Sequence, residues 1–380
     1  MFARTCRALA LLILAGCGTD STGPGAPVAT IELEALGDVW VGDVRVLQAT
    51  PRSSDGAALN RKVITWFSTQ PTVASVDASG QLSAIAIGTT TITATSEGKQ
   101  AEITISVSDL DLIYEGFLGG FSEMLVLSLN GTQPARVLPA GVLVTSPAPS
   151  PDGSKIAFVP PEIASPDHEI YVVNRDGTGV LQLTNTPEID DHPAWSPDGT
   201  KIAFRSFRAQ RFGDIWVMNA DGSNPVNLTP DPQDTTAERR PAWSPDGTHI
   251  AFSSNRSGTF DIWTMRADGT DLRQITNTRD FDTEPTWSPD GRLAFRRSDD
   301  FTSDLMVIGL QGGPATRLVF SGHELMPAWS PNGKFIAFAY FGPNGGPPQI
   351  HTVRPDGSDL TLRTTEPAWK GGISPQWIRR

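Results

Sequence analysis

The sequence predicts an all-β protein: a small sandwich followed by a six-bladed β-propeller that closes by pairing its C-terminal strand with the first blade. Three observations carry this. The 36 glycines and 31 prolines, with only 19% charged residues, imply many tight turns and few amphipathic helices. Short β-branched runs fill residues 28–107. One proline-centred pattern then recurs about every 45 residues to the end of the chain.

The first sixteen residues stand apart. Arg4 and Arg7 make a basic start and Leu9 to Leu14 a short apolar run, the pattern of an export signal and too short for a permanent bilayer span. The following Leu14-Ala-Gly-Cys17 resembles the lipobox of bacterial lipoproteins. That resemblance implies cleavage before Cys17 and a lipid on Cys17; an ordinary cleaved signal peptide is the other reading. Cleavage would remove Cys6, the only other cysteine, so no internal disulfide would remain. It would also take the formal charge from −12 to −14, by loss of Arg4 and Arg7. So acidic a chain lacks the basic face a phosphate backbone requires, which argues against nucleic acid as a partner. Residues 17–27 have turn formers and no apolar periodicity, and are expected to be a flexible tether. The expected location is the bacterial cell envelope, on the periplasmic face or the cell surface, anchored by lipid to the outer membrane.

Residues 28–107 contain apolar runs at Ile31–Leu33, Val44–Leu47, Val63–Trp66, Ile85–Ile87, Thr91–Ala94 and Ile103–Val107, the density of strands expected of a sandwich. Within them, Val73-Ala-Ser-Val-Asp77, Gly80 and Gly88-Thr-Thr-Thr-Ile-Thr-Ala-Thr95 resemble group 2 bacterial Ig-like domains. The resemblance implies that Trp66 is a core residue, that Gly80 and Gly88 occupy turns, and that the module serves as a spacer or an adhesive element.

The repeat aligns on Pro147, Pro193, Pro241, Pro285, Pro327 and Pro375. Trp195, Trp243, Trp287, Trp329 and Trp377 follow two residues behind five of them. Five also run into a turn tetrad, Ser-Pro-Asp-Gly at Ser150, Ser196, Ser244 and Ser288 and Ser-Pro-Asn-Gly at Ser330. Proline presets one turn dihedral, Asp or Asn bonds its own backbone, and glycine closes the turn. After each tetrad comes an apolar strand such as Ile202-Ala-Phe204, then a second such as Asp214-Ile-Trp-Val-Met218, then a turn such as Asp221-Gly222 and a short outer strand. Four strands per repeat describe a propeller blade.

The count closes at the ends. Leu112–Tyr114, Glu123–Leu129 and Arg136–Leu138 form a blade lacking its first strand, and Pro375-Gln-Trp377 is a first strand lacking a blade. Joining them gives a ring over residues 110–380 with no free edge. These repeats resemble the WD40-like propeller repeats of the TolB type. That resemblance implies docking of protein partners in the envelope.

First strands line a propeller's channel, so residues before each anchor proline are expected to gather at one mouth. Asp190, Glu238, Asp282 and Glu324 lie three residues before four of the anchors, with His192 and His323 nearby, and these six are the predicted binding residues. Converging carboxylates would accommodate a divalent cation or a basic peptide segment; otherwise they cap turns. The register of the tryptophans indicates packing between blades rather than a sugar-binding platform. Trp369 departs from that register and is the expected exposed contact. The five histidines show no metal-ligand spacing and no Gly-x-Ser-x-Gly elbow occurs, so neither a metal ligand set nor a catalytic residue is assigned, and no cofactor is expected. The sequence thus predicts a non-catalytic, envelope-anchored protein that docks a protein or peptide at the propeller mouth. A carbohydrate-active or metal-dependent enzyme at the same mouth, and a surface adhesin using the Ig-like domain, are the alternatives.

Overall fold

The computed structural model describes residues 25–118, 121–129, 134–139, 142–160, 168–209, 211–299, 301–319, 323–342, 347–364 and 372–380. The expected signal peptide and most of the tether lie outside them. No helix occurs among the described residues, and the chain divides into two compact units, one ending at Asp109 and the other spanning Leu110–Arg380.

The first unit has a four-stranded sheet, in the order Val39–Trp40, Lys99–Ser108, Gly88–Ser96, Thr65–Ser68, and a three-stranded sheet, Val44–Val46, Gln81–Ala84, Ala74–Val76. A two-stranded ribbon joins Thr30–Leu33 to Ala49–Arg52. Leu82, Ala74 and Ala84 from one sheet meet Ile92, Ile105 and Val107 from the other in one apolar core, with Trp66 packed against it. Gly80 (φ +84°) sits in a turn where a side chain would be strained, and a Cβ there would lie 3.1 Å from the Trp66 indole nitrogen. The run Ile85–Ile87, expected as a strand, is a bend with both isoleucines exposed. The N–H groups of Ile85 and Ala86 both donate to the Val73 carbonyl, so the chain crosses between sheets there instead of joining a ladder.

The second unit consists of six four-stranded antiparallel sheets. Blades 1 to 5 begin with the inner strands Thr145–Pro149, Asp190–Trp195, Glu238–Trp243, Phe281–Trp287 and Glu324–Trp329. Blade 6 is shared: Gly372–Arg379 is its inner strand, and Leu110–Leu118, Phe121–Ser128 and Ala135–Arg136 supply the rest. The predicted closure is thus a ladder, with Leu110 opposite Arg379 and Leu112 opposite Trp377. At this seam Arg175 of blade 1 bonds Asp111 at 2.6 Å and also donates to the Arg379 carbonyl.

Each turn tetrad forms as its chemistry requires. In the first, the Ser150 hydroxyl donates to Asp152 at 2.6 Å and accepts from the Lys155 N–H at 2.9 Å, while Gly153 takes φ +71°. A Cβ on Gly153 would stand 2.3 Å from the Arg379 carbonyl, so the same glycine also permits ring closure. The apolar clusters straddle neighbouring blades. Ile202, Phe204 and Met218 of blade 2 pack with Val159 and Ile170 of blade 1, and Trp329, Ile336 and Phe338 of blade 5 with Leu305 and Val307 of blade 4. A blade therefore covers its core only through its neighbours, which makes the ring, not the blade, the unit of stability.

Candidate functional site

The anchor prolines explain how the channel is built. In all six inner strands the ladder slips by one residue at the anchor: Asp191 faces Arg205, yet Ala194 faces Ala203. The extra residue makes a β-bulge, and the residue before each proline is forced into the left-handed region, at φ 51° for Ser146, 52° for His192, 53° for Arg240, 61° for Glu284, 55° for Met326 and 50° for Ser374. Few non-glycine residues adopt this conformation, and a six-fold repetition marks it as constructive rather than accidental. All six line one central cavity of about 270 Å³, together with five of the anchor prolines, Pro147, Pro193, Pro241, Pro285 and Pro327, and with Trp195, Trp243, Trp329 and Trp377.

The ring is internally bonded. The Met326 N–H donates to Glu284 at 2.6 Å, Arg240 lies 3.8 Å from the same carboxylate, and the Ser146 N–H donates to Glu115 at 2.7 Å. Burial raises Glu115 above the usual carboxylate range, against its bonds to Ser374 and Ser146. His192 bonds Asp191 at 2.8 Å, and desolvation pushes the imidazole below its ordinary value despite that partner, which favours the neutral ring. Although burial opposes the charged form of Asp191, its hydrogen bond with His192 and the Arg205 guanidinium hold this carboxyl well below its usual range.

Of the six residues expected at the mouth, only His192 lines this cavity. Asp190, Glu238, Asp282 and Glu324 are at most 1% exposed. Three of them serve as struts inside their own blades. Asp190 pairs with Arg208, Glu238 with Arg256 at 2.9 Å, and Asp282 with Arg297 through two bonds of 2.7 and 2.8 Å. Arg208 and Arg256 stack over Trp216 and Trp263, 4.9 and 5.2 Å from the rings. Desolvation raises Asp190 and Asp282 despite these arginines. The Glu324 main-chain carbonyl accepts from Ser303 at 2.8 Å. The physical reason for this correction is the bulge: residues three and one before the proline would share a face on a regular strand, and the extra residue turns the nearer one to the channel while the farther one stays inside the blade. His323 lies in a cleft between blades 4 and 5 with Arg296, Phe301, Leu325 and Phe341. Cys17 and Trp369 lie outside the described residues. Among the described residues, no three His, Cys, Asp or Glu side chains are arranged to hold a metal ion.

The tryptophans pack as expected. Trp195, Trp287 and Trp377 each donate to an alanine carbonyl of the preceding blade, Ala148, Ala242 and Ala328, at 3.0, 3.0 and 2.9 Å.

Sequence reasoning missed the loops at the mouth. Because Asp190 pairs with Ser206 and Ser206 with Asp214, the connection between second and third strands opens at the end where the inner strand begins. In blades 2 to 5 this connection carries Phe207 and Phe212, Phe260, Phe301 and Phe341. Phe301 is 85% exposed and Phe212 42%. Arginines lie over several of these rings, Arg205 4.8 Å from Phe207, Arg211 5.5 Å from Phe212 and Arg239 3.8 Å from Phe260. The opposite end carries the Ser-Pro-Asp-Gly and Asp-Gly turns. The signal was present as a phenylalanine in each such loop, but the loops differ in length and do not align on the proline.

The group 2 bacterial Ig-like domain family matches residues 42–105, and the TolB beta propeller domain family matches residues 97–240 and 233–376. A curated TolB homolog of Chlorobium luteolum is 35% identical over 108 residues, 27% of this chain and 23% of that protein. The Tol-Pal system protein TolB of Nitratidesulfovibrio vulgaris is 36% identical over 76 residues, 20% and 17% of the two chains. The match thus spans less than a quarter of either relative. Among solved structures, TolB from Acinetobacter baumannii superposes with a TM-score of 0.60 at 19% identity, covering 77% of this chain and 80% of that one. A putative TolB from Agrobacterium tumefaciens gives 0.57 at 18%, covering 72% and 98%. The fold also recurs in hydrazine synthase of Kuenenia stuttgartiensis, with a TM-score of 0.59 at 14% identity over 71% of this chain and 46% of that one. By the span of the matched repeats and the six-bladed ring they build, the chain belongs to the TolB beta propeller domain family.

Proposed function

We propose that this is a lipid-anchored envelope protein whose propeller docks a protein partner at the loop end of its channel and performs no catalysis there. The observation that carries the reading is the set of phenylalanine loops around one opening, where Phe212 and Phe301 are exposed and Arg205, Arg211 and Arg239 lie over Phe207, Phe212 and Phe260. Aromatic residues and arginine are the types enriched in protein interfaces, because each offers a large contact area with a polar handle. Relatives named for the Tol-Pal system support an envelope setting. In this reading Cys17 carries the lipid, residues 17–27 tether the chain, and residues 28–107 act as a spacer. The recurrence of the fold within an enzyme leaves the scaffold neutral on chemistry, so the case against catalysis rests on the site. The ring of Ser146, His192, Arg240, Glu284, Met326 and Ser374 has its titratable members tied to one another or to buried partners.

Photo-crosslinking in native envelopes tests the proposal. p-Benzoylphenylalanine in place of Phe301 should capture a protein, whereas the same residue in place of the exposed Lys201, at the turn end, should not. No adduct at 301, or equal adducts at both positions, would sink it.

A further inference from the structure

Three guanidiniums crowd the mouth near blade 3, and their carboxylates do not match them. Arg205 is taken up by Asp191, to which it donates from Nε at 2.7 Å. Arg240 lines the cavity 3.8 Å from Glu284, whose other oxygen is taken by the Met326 N–H. Arg239 has no carboxylate within ion-pair distance among the described residues, and its buried Nε has no hydrogen-bond partner. Its contact is the Phe260 face, 3.8 Å away. Burial, and then Arg205 and Arg240, push Arg239 below its ordinary range, as expected of a cation held among like charges. Two carboxylates therefore serve three guanidiniums, in a chain whose formal charge is −12.

From this juxtaposition we infer that the docking partner presents an acidic segment, whose carboxylate enters the mouth to pair with Arg239 and Arg240 while its apolar neighbours pack on the phenylalanine loops. The inference rests on the docking reading above and names the chemistry of its partner. An extended peptide carrying Asp or Glu beside apolar residues complements both features: the carboxylate supplies the acceptors that the guanidinium forks lack, and Phe207, Phe260 and Phe301 offer apolar area around them. The acidity of the rest of the chain does not oppose this. At about 0.15 M salt, exposed charges more than ~8 Å away are largely screened, whereas pairs inside a partly enclosed mouth are screened much less. The same acidity makes other surfaces unattractive to an acidic segment, which confines it to the mouth.

Fluorescence anisotropy tests the inference with the full chain and two labelled peptides, one alternating glutamate with phenylalanine, the other with glutamine in place of each glutamate. The acidic peptide should bind at least about tenfold tighter, with an affinity that falls as salt rises. Arg239→Gln and Arg240→Gln should each remove most of that preference, and Glu284→Gln, which strips a competing carboxylate but keeps an acceptor for Met326, should strengthen binding of the acidic peptide. Arg273→Gln, at an exposed site in the outer strand of blade 3, should change nothing. Equal affinity for the two peptides, no binding of the acidic one, or unchanged binding in both arginine variants overturns the inference. So does displacement by inorganic phosphate as effective as displacement by unlabelled acidic peptide, which would make the mouth a small-anion site. An adduct at position 301 combined with any of these results would leave docking standing and remove only its acidic chemistry.

Discussion

The indole N–H of Trp377 donates to the main-chain carbonyl of Ala328 at 2.9 Å, joining the closing strand to blade 5. On its other side the same strand pairs with Leu110–Leu118, so a residue three from the chain end holds two blades together. Trp377→Phe should lose about 1 kcal/mol for the bond, and Trp377→Ala about 3–5 kcal/mol as the packing goes too. Urea unfolding followed by tryptophan fluorescence measures both. Removing residues 372–380 should yield aggregated protein, because the edge of Leu110–Leu118 is then bare. A soluble, monomeric truncation would show that closure is dispensable.

Glu238 is fully buried and accepts from Arg256 at 2.9 Å and from Ser254 at 2.8 Å. Arg256→Met should therefore destabilise the propeller by about 3–5 kcal/mol, because it leaves a buried carboxylate without its cation. Adding Glu238→Gln should recover most of that loss in urea midpoint. A double variant as unstable as the single one would mean that the arginine acts through its stacking on Trp263 and not through the ion pair.

Asp214 is fully buried, and its carboxyl is raised to about 6 by desolvation, with Glu238, Asp231 and Asp234 adding to the shift and the Asn227 amide opposing it. An unfolded aspartate titrates near about 3.9. Between those values the folded chain keeps a proton that the unfolded chain has released. The stability this group contributes is therefore complete below about pH 4 and is lost as pH rises through about 6. Asp214→Asn removes the term, so wild type should lose urea resistance relative to the variant between pH 4 and pH 7. A constant difference across that range would contradict the burial argument.

Met326 holds φ 55° in front of Pro327. Asparagine tolerates this conformation and a β-branched residue does not, so Met326→Val should be about 1–2 kcal/mol less stable than Met326→Asn by thermal or urea unfolding. Equal stability would mean that the bulge relaxes when its residue is changed.

The period of the prolines and tryptophans, the chemistry of the turn tetrads and the complementary fragments at the two chain ends are local features, and each acts through local rules of turn formation and strand alternation. They determined an all-β chain, the number of blades and closure of the first blade by the C-terminal strand, while the register that sets Leu112 opposite Trp377 came with the structure. The site depended on a feature with no local signature. The bulge before each proline inserts one residue and reverses the alternation, so Glu238 turns inward to Arg256 while Arg240, two residues on, reaches the channel. The expectation that residues just before each proline gather at the mouth therefore holds for Arg240 and fails for Glu238. The unmatched charge of Arg239 likewise arises only when blades 2, 3 and 4 bring Asp191, Arg205, Arg240 and Glu284 around it, because electrostatic imbalance belongs to an arrangement in space and not to any segment of chain.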